Sequence, residues 1–180
     1  MNQNGKDPEW QYAFEMAMTA LRRCGFHSGQ YVYINCPNRL AFACGYLAKN
    51  SGAAMVAIRV NSEQEASRVE KLGFCAHLYS RELAEDFIER ITPQRGFDVG
   101  LEVSGSEDSF ISLFDVLRQG SQIGCLIQFA TPFGYNTAQA TRNQIGVLGI
   151  SSVDEACKDV VKELLETCPD ELQTLLKAEI

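Results

Sequence analysis

The chain has 180 residues, 46% of them apolar and 22% charged, the balance of a folded soluble domain, which excludes collagen-like, mucin-like and wholly disordered chains. Sixteen Lys and Arg against 23 Asp and Glu leave a formal net charge of −7, so no cationic excess exists to release counterions from a nucleic-acid backbone. A chain of this length buries roughly two thirds of the surface its unfolded form exposes, enough for a core without disulfide or metal staples.

Polar residues open the chain, without the basic start and apolar run of a secretory signal, and no apolar stretch reaches bilayer length. The expectation is one soluble domain over 1–180 in a reducing, cytoplasmic compartment, with neither nucleic acid nor membrane as partner. Ala13, Met16, Met18 and Leu21 recur at helical spacing and Gly25 supplies a stop, so an N-terminal helix is predicted over 7–24. The core, 30–166, then alternates. A strand at 31–34 leads through a tight turn into a helix at 40–49, and 55–60 is a near-continuous apolar run of the kind found in parallel strands covered on both faces. A helix at 62–72 with a serine cap, a strand at 76–79, a helix at 81–91 and a strand at 97–103 follow. The remainder predicts a helix at 107–117, strands at 122–129 and 145–150 joined by a turn-rich connection, and a helix at 152–166 opened by a Ser152/Glu155 capping box. A last helix is expected over 169–180. Six strands interleaved with helices predict a doubly wound, parallel α/β sheet with ligands at the carboxyl ends of the central strands.

The seven cysteines, at 24, 36, 44, 75, 125, 157 and 168, include no Cys-x-x-Cys pair, and His27 and His77 are the only imidazoles. Tight spacing is what a structural zinc site requires, so no metal is expected and the thiols read as small hydrophobes.

Several short pieces then carry a likeness: Ala20-Leu21-Arg22-Arg23 with Ser28-Gly29, Ala48 to Ala53, Glu70-Lys71-Leu72-Gly73, Phe97-Asp98-Val99 with Glu102-Val103-Ser104-Gly105, and Leu117-Arg118-Gln119-Gly120. In this order, across 11–166, they resemble the cofactor-binding (Rossmann) domain of the medium-chain, zinc-type alcohol and polyol dehydrogenases. The resemblance implies a dinucleotide, NAD or NADP, at the turn after the first strand.

Three departures qualify that implication. The family's Gly-x-Gly-x-x-Gly turn falls on Cys36, Asn38 and Ala41, of which only Ala41 is an accepted substitute. Asn38 tolerates a positive φ better than most residues, yet its side chain takes space a pyrophosphate would use. Helix-terminal amides remain as anion donors and Arg39 could add charge, so weakened binding and none stay open. The acid that takes the ribose hydroxyls of NAD falls on Val60, between Arg59 and Asn61; a neutral residue beside an arginine suits the 2′-phosphate of NADP better, unless Arg59 is merely a solvated strand end. The family's catalytic domain and its zinc-ligand pattern have no counterpart here, the last ligand position falling near Gln11 or Tyr12, so hydride transfer is not expected of this chain alone.

Cys36 sits where a helix N-terminus could lower a thiol pKa, though filling a glycine's place is the plainer role. His27 and His77 read as surface and core residues, and Asp98 with Glu102, on one strand face, not as an acid/base pair. Ser104 and Gly105 are the best-preserved part of the implied site. The family pairs its sixth strand across a twofold axis, so 144–150 implies a homodimer or a protein partner, and Leu172, Leu175 and Leu176 mark a helix that either packs on the sheet or docks another chain. Two readings follow: a nucleotide-binding, NADP-leaning portion of a split or larger oxidoreductase, or a catalytically silent descendant kept for binding or assembly.

Overall fold

Strands form where the apolar runs lie. In the computed structural model, which describes residues 7–93, 96–167 and 169–177, they are β1 (Tyr31–Ile34), β2 (Met55–Val60), β3 (Cys75–Leu78), β4 (Phe97–Glu102), β5 (Leu117–Cys125) and β6 (Gly146–Gly149). All pairings are parallel, in the order β3-β2-β1-β4-β5-β6. The helices are α1 (Pro8–Arg23), α2 (Arg39–Asn50), α3 (Glu63–Lys71), α4 (Ala84–Ile91), α5 (Glu107–Val116), α6 (Thr137–Arg142), α7 (Glu155–Thr167) and α8 (Asp170–Leu176). The expected doubly wound sheet is therefore present, and none of these helices is long and apolar enough to cross a membrane.

Alternation along the strands divides the interior in two. Val32, Ile34, Val56, Ile58 and Val60 face a core shared with α1, α2 and α7, whereas Tyr33, Ala57 and Ile123 face one built on Phe87 of α4 and Phe110, Leu113 and Phe114 of α5. All six residues of β4 are buried, as a central parallel strand requires. Gly100 lets α5 and the start of β5 close on that strand: a Cβ there would stand 3.1 Å from a Leu117 methyl and 3.4 Å from a Leu113 methyl. At the amino end of the sheet, buried Asp98 accepts from the Tyr31 amide at 2.7 Å and from Arg118 Nε at 2.5 Å, tying β1, β4 and β5 together.

Capping explains most helix starts. Asp7, Asn38, Ser62 and Ser106 each accept a backbone N–H of the helix that follows, and Pro8 occupies the first turn of α1. Leu172 is fully buried and Leu175 nearly so, in the core that α7 also lines. At about 1.5–3 kcal/mol for each buried leucine, this holds α8 against its own chain. The predicted 178–180 lie outside the described residues.

Several expected boundaries move, each for a local reason. Helix α4 starts at Ala84, not 81, because the Glu82 carbonyl receives His77 Nε2 at 3.1 Å, the Glu82 carboxylate holds Arg90, and Leu83 is extended. Strand β5 begins at Leu117, which leaves α5 already extended and pairs with Phe97, and it ends at Cys125 instead of 129. Beyond it, Phe129 stacks edge-on against Phe133 and Phe110. The turn-rich connection also contains α6, for which no helix was expected, capped by Asn136 and with no buried residue. The Ser152 capping box does not form: α7 starts at Glu155, and Asp154 before it pairs with Arg23 while its amide donates to Thr19 Oγ1 at 3.0 Å.

Candidate functional site

Strand order reverses between β1 and β4, and in open α/β sheets ligands bind outside the carboxyl ends of the strands at such a point. Two residues line that crevice from below. Asn35, just past β1, donates through Nδ2 to a Glu102 carboxylate oxygen and accepts the Val103 amide through Oδ1 at 3.1 Å. Glu102, the last residue of β4, is fully buried and also accepts the amides of Ser104 (2.7 Å) and Gly105 (2.6 Å) and the Ser104 hydroxyl (2.9 Å). Four donors satisfy the charge that burial would otherwise make costly. The Ser104-Gly105 turn is thus wrapped around the carboxylate. Gly105 has φ +71°, and a Cβ there would reach within 3.0 Å of an Ile127 methyl, so the position is glycine's both by conformation and by space.

Above them lies the turn into α2. Asn38 has φ −106° and ψ 178°, so the positive φ considered for it is not adopted; it is the N-cap of α2. Its Oδ1 accepts the Ala41 amide at 2.9 Å and its Nδ2 donates to the Val103 carbonyl at 2.7 Å. One side chain therefore spans from the first turn of α2 to the exit of β4. Ala41 is fully buried, and its amide, one of the helix-terminal donors an anion would seek, is already engaged. Arg39 does not face the crevice anions would occupy: its guanidinium pairs with Glu9 and sits 5.5 Å from the Trp10 ring centroid, on the α1 side.

The β2 end is arranged differently. Val60 is fully buried in the core, so it offers a ligand backbone alone. Arg59 is not a solvated strand end: it donates to Ser112 Oγ of α5 at 2.7 Å and lies 4.1 Å from the centroid of the half-exposed Tyr79 ring. Asn61 is exposed, and its amide donates to Glu65 at 2.7 Å. The sequence-predicted residues thus form two groups, Cys36, Asn38, Ala41, Ser104 and Gly105 at the switch point and Arg59 with Asn61 at the β2 end, with Arg39 turned away. Asn35 and Glu102 were not picked out as site residues; the signal was an acid placed two residues before Ser104-Gly105.

The other candidates resolve simply. Burial, then the nearby Glu102 charge, pushes the Cys36 thiol above its ordinary value, the reverse of an activated nucleophile. His27 is exposed and His77 fully buried, as expected. Among the described residues no group of three or more His, Cys, Asp or Glu stands where it could hold a metal ion. A cavity of about 230 Å³ is lined by Met18, Leu21, Phe26 and Leu47, at the amino side of β1 and away from the crevice.

No family profile matches the chain. L-threonine 3-dehydrogenase of an Enterobacter species is 30% identical over 99 residues, 54% of this chain and 29% of that protein. The enzyme of the same name from Coxiella burnetii is 27% identical over 123 residues, 68% of this chain and 36% of that one. Among solved structures, galactitol-1-phosphate dehydrogenase of Escherichia coli superposes with a TM-score of 0.79 at 13% identity, over 90% of this chain and 49% of its own. A zinc-binding dehydrogenase of Sinorhizobium meliloti, solved bound to NADP, gives 0.74 at 17% identity, over 86% and 46%. The chain spans about half the length of these solved proteins and about a third of the curated relatives. It has the Rossmann-type fold, and shares the sequence likeness, of the cofactor-binding half of the zinc-type medium-chain dehydrogenases.

Proposed function

We propose that this chain, one folding unit over 1–180, is the nucleotide-binding half of a dehydrogenase-type oxidoreductase, leaning to NADP, and that the substrate half and the hydride-transfer chemistry lie on other sequence. The observation that carries the reading is the β2 end. Val60 stands where an acid would take the 2′- and 3′-hydroxyls of NAD, the nearby Glu65 carboxylate of α3 is engaged by the Asn61 amide, and Arg59 is held against Tyr79 beside exposed Asn61, where a 2′-phosphate would meet a guanidinium. NADP in the Sinorhizobium meliloti relative agrees with this choice. The fit is uneven along the ligand. Arg59 and Asn61 suit the phosphorylated ribose, and the Ser104-Gly105 turn lines the crevice, but the α2 turn as it stands has one of its amide donors, that of Ala41, occupied by Asn38.

When bound, the dinucleotide would supply the hydride-carrying ring; this chain's residues would bind and orient it. Calorimetric titration with NADPH and NADH tests the reading: NADPH binds more tightly, and Arg59→Met removes the difference. Tighter binding of NADH refutes the NADP preference. Binding of neither refutes the nucleotide reading and leaves a module kept for assembly, which the self-satisfied Asn38 turn favours.

We further infer that β6 pairs with a second copy. Its residues bond β5 on one side only, and Val147 is 39% exposed on that strand. A light-scattering mass equal to one chain at micromolar concentration refutes the homodimer. The six described cysteines are free thiols, which fits a reducing cytoplasm; disulfide-linked protein recovered outside the cell would refute that placement.

A further inference from the structure

We propose that Asn38 is a latch that closes the diphosphate position of the crevice and must open for a dinucleotide to enter. The inference rests on the nucleotide-binding reading above and concerns the regulation of that same site. Phosphates at a switch point are held by the free amides of the helix after β1, with the chain ahead of it kept small so that backbone and ligand can touch. Here the amide oxygen of Asn38 stands in for the ligand oxygen. It accepts the Ala41 N–H at 2.9 Å, and Nδ2 of the same side chain donates to the Val103 carbonyl at 2.7 Å. Both ends of the crevice are tied by one residue.

The surroundings keep the latch shut. Directly beneath, Asn35 links Glu102 to the Val103 amide, so the β4 exit that Asn38 grips is itself fixed. Arg39, the cation nearest in sequence, is drawn off by Glu9 and Trp10 and does not compensate for the occupied amide. Elsewhere in the turn Ala41 is already small, and Ser104 and Gly105 are folded onto Glu102. Opening therefore means breaking the two Asn38 side-chain hydrogen bonds and swinging one side chain, after which the Ala41 amide faces the crevice.

The test uses the full chain, NADPH, and two variants. Asn38→Gly removes the side chain; Asn38→Ser keeps a good helix cap and so guards against a folding defect, but is too short to reach Val103. Asn38→Gly is expected to raise NADPH affinity at least tenfold and Asn38→Ser, which loses only the bond to Val103, about fivefold, with the gain in the association rate, and stopped-flow binding to the wild-type chain is expected to level off at high NADPH, as a gated site does. If Asn38→Gly and Asn38→Ser bind no more tightly than wild type, the latch is refuted while nucleotide binding stands. If none of the three binds NADPH, both the latch and the function fail together.

Discussion

His77 makes the fold's stability depend on pH near neutrality. Its Nδ1 lies 2.6 Å from the Tyr33 hydroxyl, its Nε2 3.1 Å from the Glu82 carbonyl, and its ring stacks on Phe87 at 4.0 Å. A carbonyl can only accept, so Nε2 carries the proton and Nδ1 takes the Tyr33 hydroxyl. A second proton would leave that hydroxyl donating to nothing, because the other rings around Tyr33 are Phe87 and Phe97. Burial is the main cause that lowers the His77 pKa, and Arg59 and Arg90 lower it further, against the Glu82 carbonyl and carboxylate. The folded value is thus below the ordinary 6.5. Between the two the unfolded chain binds the extra proton, so stability is complete above about pH 6.5 and falls as the pH drops, by at most about 1.4 kcal/mol per pH unit. Urea unfolding at pH 7.5, 6.5 and 5.5 measures it. Glu82 and Asp154, whose pKa values are lowered from 4.5 and 3.8, titrate below this window. Wild type is expected to lose stability toward pH 5.5, and His77→Gln, weaker at every pH, to show a flatter profile. A flat wild-type profile, or an equal slope in His77→Gln, would refute the reasoning.

Two further outcomes follow from the crevice. Glu102→Gln turns an acceptor of four donors into a group that must point an NH₂ at one of them, so it is expected to cost about 3 kcal/mol in urea unfolding, and a loss under 1 kcal/mol would show that the carboxylate does not organise the turn. Burial pushes Cys24 up to about 11 and Cys125 up to about 12, and raises Cys36, so iodoacetamide at pH 8 is expected to modify all three more slowly than free cysteine in the native state; faster labelling of Cys36 would mean that the α2 terminus activates it after all.

The sheet was legible in the sequence because its signal is dense. β1 and β2 are short apolar runs bounded by turns, and their limits at Tyr31–Ile34 and Met55–Val60 coincide with the expected ones. Where the structure departs, the deciding interactions are side-chain bonds that hydrophobic periodicity does not carry. His77, only five residues earlier, takes the Glu82 carbonyl, and nothing near Ser152 tells that Arg23, on another helix, will claim Asp154. Helix α6 buries no residue, so it leaves no periodicity to read. The site shows the same division. That Cys36 and Asn38 stand at glycine positions is visible from spacing, but that Asn38 reaches Val103, 65 residues on, is a property of the β1–β4 neighbour relation and appears only when the strands are side by side.

The residues around the switch point make sense as a set. Were residue 38 glycine, the Ala41 amide and the Val103 carbonyl would both look to water or to a ligand; with asparagine they are satisfied from within, as buried backbone groups must be by some partner. Once the crevice presents no anion, Arg39 has nothing to face there, and Glu9 and the Trp10 ring become its better partners. A helix cap is worth about 1 kcal/mol and the added hydrogen bond about as much again, so the closed form is favoured by about 2 kcal/mol over one in which those groups are free. A ligand that needs the Ala41 amide has to overcome that difference, a factor of roughly 30 in Kd. That factor is the whole effect Asn38 can have. A gain far beyond it in Asn38→Gly would mean that the variant had changed more than the latch, and calorimetry on Asn38→Ser, which keeps the cap and forgoes the bond to Val103, separates the two contributions.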